Sequence, residues 1–138
     1  MRTYVRTRLK RPGRNADAKR MSTWVRTRRA LEADAAADRL LAVYDGAWAF
    51  ADRLAAAGDR ASAAAAGALG DAALADLPPV RVHYAALVLG VEHAQAVAWT
   101  RDGTFAPVPW TGQLRVALID VARLARARRA APTLRAAA

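Results

Sequence analysis

The chain has 138 residues, the length of one ordinary domain, and carries a net charge of +10 with no cysteine. The lack of cysteine excludes disulfides, thiolate metal sites and a cysteine nucleophile, and it favours a cytoplasmic protein. The longest apolar run, residues 84–91, is too short to span a bilayer, so we expect no membrane partner.

The positive charge is concentrated at the two ends of the sequence. Residues 1–29 contain eleven Arg or Lys residues and one acid, and residues 121–138 contain five Arg residues and no acid. The intervening residues 30–120 have a net charge of −5. Because cation-rich, acid-poor segments are typical of arms that bind polyanions, this distribution predicts a nucleic-acid partner.

A short repeat lies within the first basic stretch. Residues 1–8 read MRTYVRTR and residues 21–28 read MSTWVRTR. One interpretation makes both copies contact elements, with Tyr4 and Trp24 stacking on bases. The other makes Met21 the functional start and the first twenty residues dispensable. Trp24 has a second interpretation as well, as an apolar cover over the end of a helical bundle.

The first helix is predicted to begin after residues 1–21, which we interpret as a flexible basic arm because they contain Pro12-Gly13 and few apolar side chains. Ser22 is a suitable N-cap, and Gly58 a suitable C-cap after Ala57. Aspartates recur in this region at every seventh residue, and we interpret them as a solvated face with arginine neighbours: Asp38, Asp45, Asp52 and Asp59.

Apolar residues of the same helix form a seam at coiled-coil spacing. One seam position is occupied by Leu40, Ala47 and Leu54, and the other by Val43, Phe50 and Ala57. Further apolar side chains flank this seam, so the helix needs cover on more than one side. The helix is therefore either central in the domain or also part of a subunit interface, and for the second case we assign Leu41, Tyr44 and Trp48 to the interface of a homodimer.

Three further helices are predicted. Asp59 caps a second helix that ends near Leu77, and a third opens at Pro79 and runs to about Ala98, although residues 80–84 could instead form a strand. Residues 101–112 are too rich in Gly and Pro for a helix. Thr111 caps a last helix over residues 112–130, which is stopped by Pro132 and has a basic face opposite its apolar one.

These elements predict an all-α fold: a single-domain helical bundle of about four helices over residues 22–131, with a disordered tail at 132–138. Enzyme motifs are missing. His83 and His93 are out of alignment on a common helix, and aspartates seven residues apart lie too far from one another to share one metal ion. We expect no catalytic residue, no metal, no cofactor and no small-molecule ligand.

The function predicted from charge is that of a non-enzymatic protein that binds nucleic-acid phosphates with low sequence specificity. The alternative is an oligomeric interaction or structural component with no direct nucleic-acid role. The residues predicted to contact phosphates lie in the arm, at the start of the first helix and on the last helix: Arg6, Arg8, Lys10, Arg11, Arg26, Arg28, Arg29, Arg123, Arg126 and Arg129.

Overall fold

The computed structural model describes residues 14–109 and 112–137, with side chains described for residues 18–109 and 112–131. Over these ranges the chain forms five helices and a two-stranded antiparallel sheet, which confirms the all-α fold with one helix more than expected. The helices are α1 (Arg14–Ala56), α2 (Arg60–Ala75), α3 (Val82–Leu89), α4 (His93–Arg101) and α5 (Leu118–Ala137). The strands are β1 (Val80–Arg81) and β2 (Arg115–Val116).

The chain divides into two compact units, Met1–Ala33 and Asp34–Ala138, and α1 contributes residues to both. Helix α1 begins at Arg14, so residues 14–21 are helical where a flexible arm was expected. The residues after Gly13 include Ala, Lys and Arg, which are strong helix formers, and no Gly or Pro interrupts them. The predicted contact residues Arg6, Arg8, Lys10 and Arg11 lie outside the described residues.

The core of the second unit forms on a face of α1 that is offset by one residue from the predicted seam. Its buried members on α1 recur at spacings of three, four and seven residues: Ala37, Leu41, Tyr44 and Ala51. Ala37, Leu41 and Tyr44 pack with residues from three other helices, namely Leu74, Tyr84, Leu118 and Ala122. The predicted seam residues Val43 and Phe50 are 55% and 49% exposed instead.

Leu41, Tyr44 and Trp48, the residues assigned to an oligomer interface, pack within the chain as the first alternative allowed. Leu41 and Tyr44 are buried by the chain itself, and Trp48 packs half-buried against the same core. The physical reason is the position of the partners: α1 is apolar on several sides, and the other helices pack against the side that carries Leu41 and Tyr44. The cover that this apolar helix needs comes from α2, α3 and α5.

The predicted third helix is divided into three parts. Val80 and Arg81 form β1, which pairs antiparallel with Val116 and Arg115 of β2, as the alternative strand interpretation allowed. Helix α3 then ends at Leu89 and is capped by Gly90, whose φ of +66° is left-handed and favours glycine. The chain turns there and restarts as α4, and a second core cluster forms around Ala85, Ala96, Phe105 and Val121.

The remaining boundaries show one match and two differences. Asp59 caps α2 as predicted, because its Oδ1 accepts a hydrogen bond of 3.0 Å from the Ser62 N–H. Helix α5 begins at Leu118 rather than near Gly112, because the residues before it are used in β2. It continues past Pro132 to Ala137, where a disordered tail was expected. The predicted cap Thr111 lies outside the described residues.

None of the helices in the described ranges combines the length and hydrophobicity that a membrane crossing requires.

Candidate nucleic-acid interface

The arginines of α5 are held in ion pairs with aspartates of α1 and α2. Arg126 donates two hydrogen bonds to Asp52, at 3.0 and 2.7 Å. Arg129 donates to Asp45 at 3.0 Å, and Arg123 donates to Asp71 at 3.4 Å. Each arginine that was predicted to contact phosphate on this helix therefore has a carboxylate partner within the chain.

The regular spacing of the aspartates has a structural explanation in these pairs. Residues seven apart lie on the same flank of a helix, and on α1 that flank meets α5. Asp45 and Asp52 are thus partners of a neighbouring helix, whereas the sequence had suggested a solvated face with arginines of the same helix as neighbours. The repeat was visible in the sequence, but its partners lie more than 70 residues away.

Trp48 lies at the centre of the same contact. Its indole N–H donates to Asp71 Oδ1 at 3.1 Å, and the Arg126 guanidinium carbon lies 4.4 Å from the centroid of its ring. The ring packs against Gly67 and Gly70 of α2, where a Cβ on Gly67 would lie only 2.6 Å from Trp48 Cη2. The two glycines make room for the indole.

An open groove of about 650 Å³ runs along this contact. Its charged lining consists of both signs, because Asp52 faces the arginines of α5. The hydrogen bonds from Arg126 lower the pKa of Asp52, and the same bonds raise the pKa of Arg126. A phosphate in this groove would have to compete with carboxylates that already hold the guanidinium groups.

Two more aspartates of α1 have partners on the segment that follows α2. Arg81 donates to Asp34 at 2.6 Å, with both side chains largely buried. The Tyr84 hydroxyl donates to Asp38 Oδ1 at 2.5 Å, and burial together with this bond raises the pKa of Tyr84. Four aspartates of α1, at positions 34, 38, 45 and 52, therefore stabilise the packing of other elements on this helix.

The first unit, unlike the paired groove of the second, carries a group of exposed cations. We call residues 18–33 of α1 the basic segment; its five cations are all exposed, and they are Lys19, Arg20, Arg26, Arg28 and Arg29. Two of them make local contacts on the same helix: Arg26 donates to the Ser22 hydroxyl at 3.3 Å, and Arg28 donates to Glu32 at 3.3 Å. At 100° per residue these cations are distributed around the whole circumference of the helix.

The net charge differs strongly between the two units. Residues 34–138 contain eleven arginines and ten acids, whereas residues 1–33 contain eleven Arg or Lys residues and two acids. The second unit is thus close to neutral, with a net charge of +1, and the first carries +9. Of the predicted contact residues within the described ranges, the structure groups Arg26, Arg28 and Arg29 in the basic segment and the other three in the paired groove.

The two histidines lie closer together than their sequence positions suggested. Because α3 ends at Leu89 and the chain reverses into α4, the rings of His83 and His93 have centroids 6.2 Å apart. Both residues are exposed. Within the described ranges no group of three or more His, Cys, Asp or Glu residues is arranged to hold a metal ion.

Comparisons with models of protein families, with curated proteins and with solved structures found no match for this chain. A functional hypothesis therefore depends on the charges and contacts of the chain itself.

Proposed function

We propose that this protein is a non-enzymatic, nucleic-acid-associated protein that binds phosphates through the basic segment with low sequence preference. The observation that carries the proposal is the separation of charge described above. The eleven arginines of the second unit are nearly balanced by its ten acids, while the first unit has an excess of nine positive charges. An excess of this size within 33 residues of sequence attracts polyanions strongly.

The arrangement of the cations supports phosphate contacts rather than the reading of bases. Cations spread around a helix meet the backbone of a nucleic acid from several sides, and phosphate contacts position a protein without recognising sequence. Each neutralised phosphate releases a condensed counterion, so the affinity falls steeply with salt. Arg26, Arg28 and Arg29 are the described residues that we assign to this role, together with Lys19 and Arg20.

The arginines of α5 have a different role in this proposal. Arg123, Arg126 and Arg129 each donate to a carboxylate of the chain, and this pairing reduces their attraction for an external phosphate. We assign them to holding α5 on α1 and α2. Phosphate binding is then a property of the basic segment and of the sequence that precedes it.

The test is a salt titration with charge-matched variants. The first variant replaces three cations of the basic segment, Arg20→Gln, Arg26→Gln and Arg29→Gln. The control replaces three exposed arginines of the second unit, Arg39→Gln, Arg60→Gln and Arg101→Gln, and changes the net charge by the same amount. Binding to labelled duplex DNA is measured by anisotropy over a range of salt concentrations.

We expect the slope of log affinity against log salt to fall by about 2 to 3 for the first variant, because each duplex phosphate contact contributes about 0.9. The control should keep the slope of the unmodified protein. Equal losses in both variants would show that only the total charge matters and would contradict the assignment to the basic segment. Failure of the unmodified protein to bind either this duplex or a single strand of equal length at about 100 mM salt would reject the proposal.

A second candidate function is an oligomeric structural component, and one observation favours it. Val43 and Phe50 lie seven residues apart on the outer side of α1, and both are about half exposed. Phe50 lies under the guanidinium of Arg53, at 5.7 Å from the ring centroid to the guanidinium carbon. Light scattering at micromolar concentration tests this candidate: a dimer that the Val43→Glu and Phe50→Glu variants dissociate would support it, and a monomer would reject it.

A further inference from the structure

We infer that Trp24 is a stacking platform for an unpaired base, so that the preferred ligand of the basic segment is a single-stranded nucleic acid. This inference rests on the proposed function and names its substrate class. Its first support is the exposure of Trp24, which is 55% accessible on the surface of α1. Within the described unit the ring is therefore available to a ligand, whereas the sequence had left open that it covers the end of a bundle.

The indole is held by a chain of side chains on one helical face. Arg28 lies one turn further along α1, with its guanidinium carbon 5.4 Å from the centroid of the Trp24 ring. Arg28 is in turn paired with Glu32 one turn later, at 3.3 Å. A cation over an aromatic face is favourable, and this contact limits the rotation of the ring. A ring already restricted in this way loses less conformational entropy when it binds a flat partner.

The surroundings of Trp24 fit a nucleic-acid strand. Exposed cations lie on both sides of it along the helix, at Lys19 and Arg20 before it and at Arg26 and Arg29 after it. A strand whose phosphates contact these cations places its bases within reach of the indole. Stacking of a base on an aromatic ring tolerates any sequence, because every base has a π-face. This agrees with the low sequence preference of the proposed function.

The duplex form of a nucleic acid does not offer the same contact. Its bases are stacked on one another and paired, so an exposed indole on a helix meets only the backbone and the groove edges. Single strands present unstacked bases that aromatic side chains bind directly. Trp24 should therefore add affinity for single strands and none for duplexes.

Neighbouring apolar side chains provide the control for this inference. Met21 and Leu31 are 62% and 63% exposed, and at 100° per residue they lie within about 80° of arc with Trp24. An anionic lipid surface would bury all three side chains beside the cations. A base would stack on the aromatic ring alone, so Leu31 separates the two kinds of ligand.

The experiment compares the full chain with Trp24→Ala, Trp24→Phe and Leu31→Ala. Anisotropy is measured with labelled oligothymidylate of about 20 nucleotides and with a duplex of equal length. We expect Trp24→Ala to weaken single-strand binding about tenfold and to leave duplex binding and the salt slope unchanged, since stacking is not ionic. Trp24→Phe should recover most of the loss, and Leu31→Ala should bind as the unmodified protein does.

The inference and the proposed function fail in different ways. If the protein binds with a steep salt slope but Trp24→Ala has no effect on single-strand affinity, the stacking role is wrong and the phosphate-binding function stands. If neither nucleic acid binds at about 100 mM salt, the proposed function fails and the inference fails with it. Flotation with phosphatidylserine vesicles is the companion measurement. Vesicle binding that Trp24→Ala and Leu31→Ala weaken equally would assign this face to lipid and overturn the inference.

Discussion

Arg126 on α5 and Asp52 on α1 form a bidentate ion pair, with distances of 3.0 Å from Nη1 to Oδ2 and 2.7 Å from Nη2 to Oδ1. The same guanidinium stacks on Trp48, which is itself fixed by a hydrogen bond to Asp71 on α2. Trp48 thus connects three helices, α1, α2 and α5. Arg126, which was predicted to bind a ligand, is part of the packing of the second unit.

We expect Arg126→Ala to lower the free energy of unfolding by about 1 to 2 kcal/mol. The substitution removes an exposed ion pair, which contributes about 0.2 to 1 kcal/mol, and a cation–π contact of about 0.5 to 1 kcal/mol. Urea denaturation followed by circular dichroism measures the loss. Arg60→Ala, which removes an exposed arginine from the first turn of α2, is the control and should change stability by less than about 0.5 kcal/mol.

The stability that Asp52 contributes should depend on pH. Because Arg126 lowers the pKa of Asp52 in the folded protein, the contribution is fully present above the unfolded value of about 3.9 and is lost as the pH falls through the lower, folded value. The Asp52→Asn variant has no such titration. Its deficit relative to the unmodified protein should be measurable by urea denaturation at neutral pH and should shrink as the pH falls below about 4. A deficit that is constant with pH would contradict an ionic role.

Tyr84 should make stability fall at high pH. Burial and the hydrogen bond to Asp38 raise its pKa, so the unfolded chain releases the phenolic proton first and stability decreases as the pH rises above about 10. Tyr84→Phe should cost about 1.5 to 3 kcal/mol at neutral pH, where a hydrogen bond to a charged acceptor is lost. The variant should also have a shallower loss of stability between neutral pH and about pH 11 in thermal unfolding. Identical slopes would show that other groups, such as Tyr44, account for the whole effect.

Two glycines in helices provide a matched pair of alanine substitutions with opposite expected signs. At Gly67 a Cβ would lie 2.6 Å from the Trp48 ring, so Gly67→Ala should destabilise the protein by about 1 to 3 kcal/mol through overpacking. At Gly46 no atom lies within 4 Å of the added Cβ, and Gly46→Ala should stabilise it by about 0.5 to 1 kcal/mol through helix propensity. Thermal unfolding of both variants tests the packing of Trp48 on α2. A stabilised Gly67→Ala protein would show that this packing is absent.

The fold class and several local features could be predicted because they depend on neighbouring residues. The periodic apolar pattern predicted helices, and Asp59 was identified as the cap of α2 from its side chain alone. The position of the core on α1 could not be predicted in this way. That helix is apolar at most positions of each heptad, and only the partners on other helices decide which stripe is buried. The break at Gly90 is similar, because a single glycine in an apolar run is compatible with an unbroken helix.

The candidate site, too, could be predicted from the sequence only in part. The clustering of cations in residues 18–33 is a property of the sequence and could be read from it directly. The pairing of α5 with the aspartates of α1 joins residues that are far apart in the sequence, by 74 positions for Arg126 and Asp52 and by 84 for Arg129 and Asp45. No local pattern identifies such partners. The equal spacing of Asp45 and Asp52 is compatible with a partner helix. It is equally compatible with a solvated face on which arginines of the same helix lie beside the aspartates.

The near-neutral second unit has a consequence for the behaviour of the protein in bulk solution. With a net charge of +1 on residues 34–138, mutual repulsion between molecules comes almost entirely from residues 1–33. Proteins close to zero net charge associate and precipitate more readily. A polyanion that contacts the cations of residues 1–33 would neutralise most of this charge. Under the proposed function, copies bound along one long strand would therefore repel each other less, which favours their association.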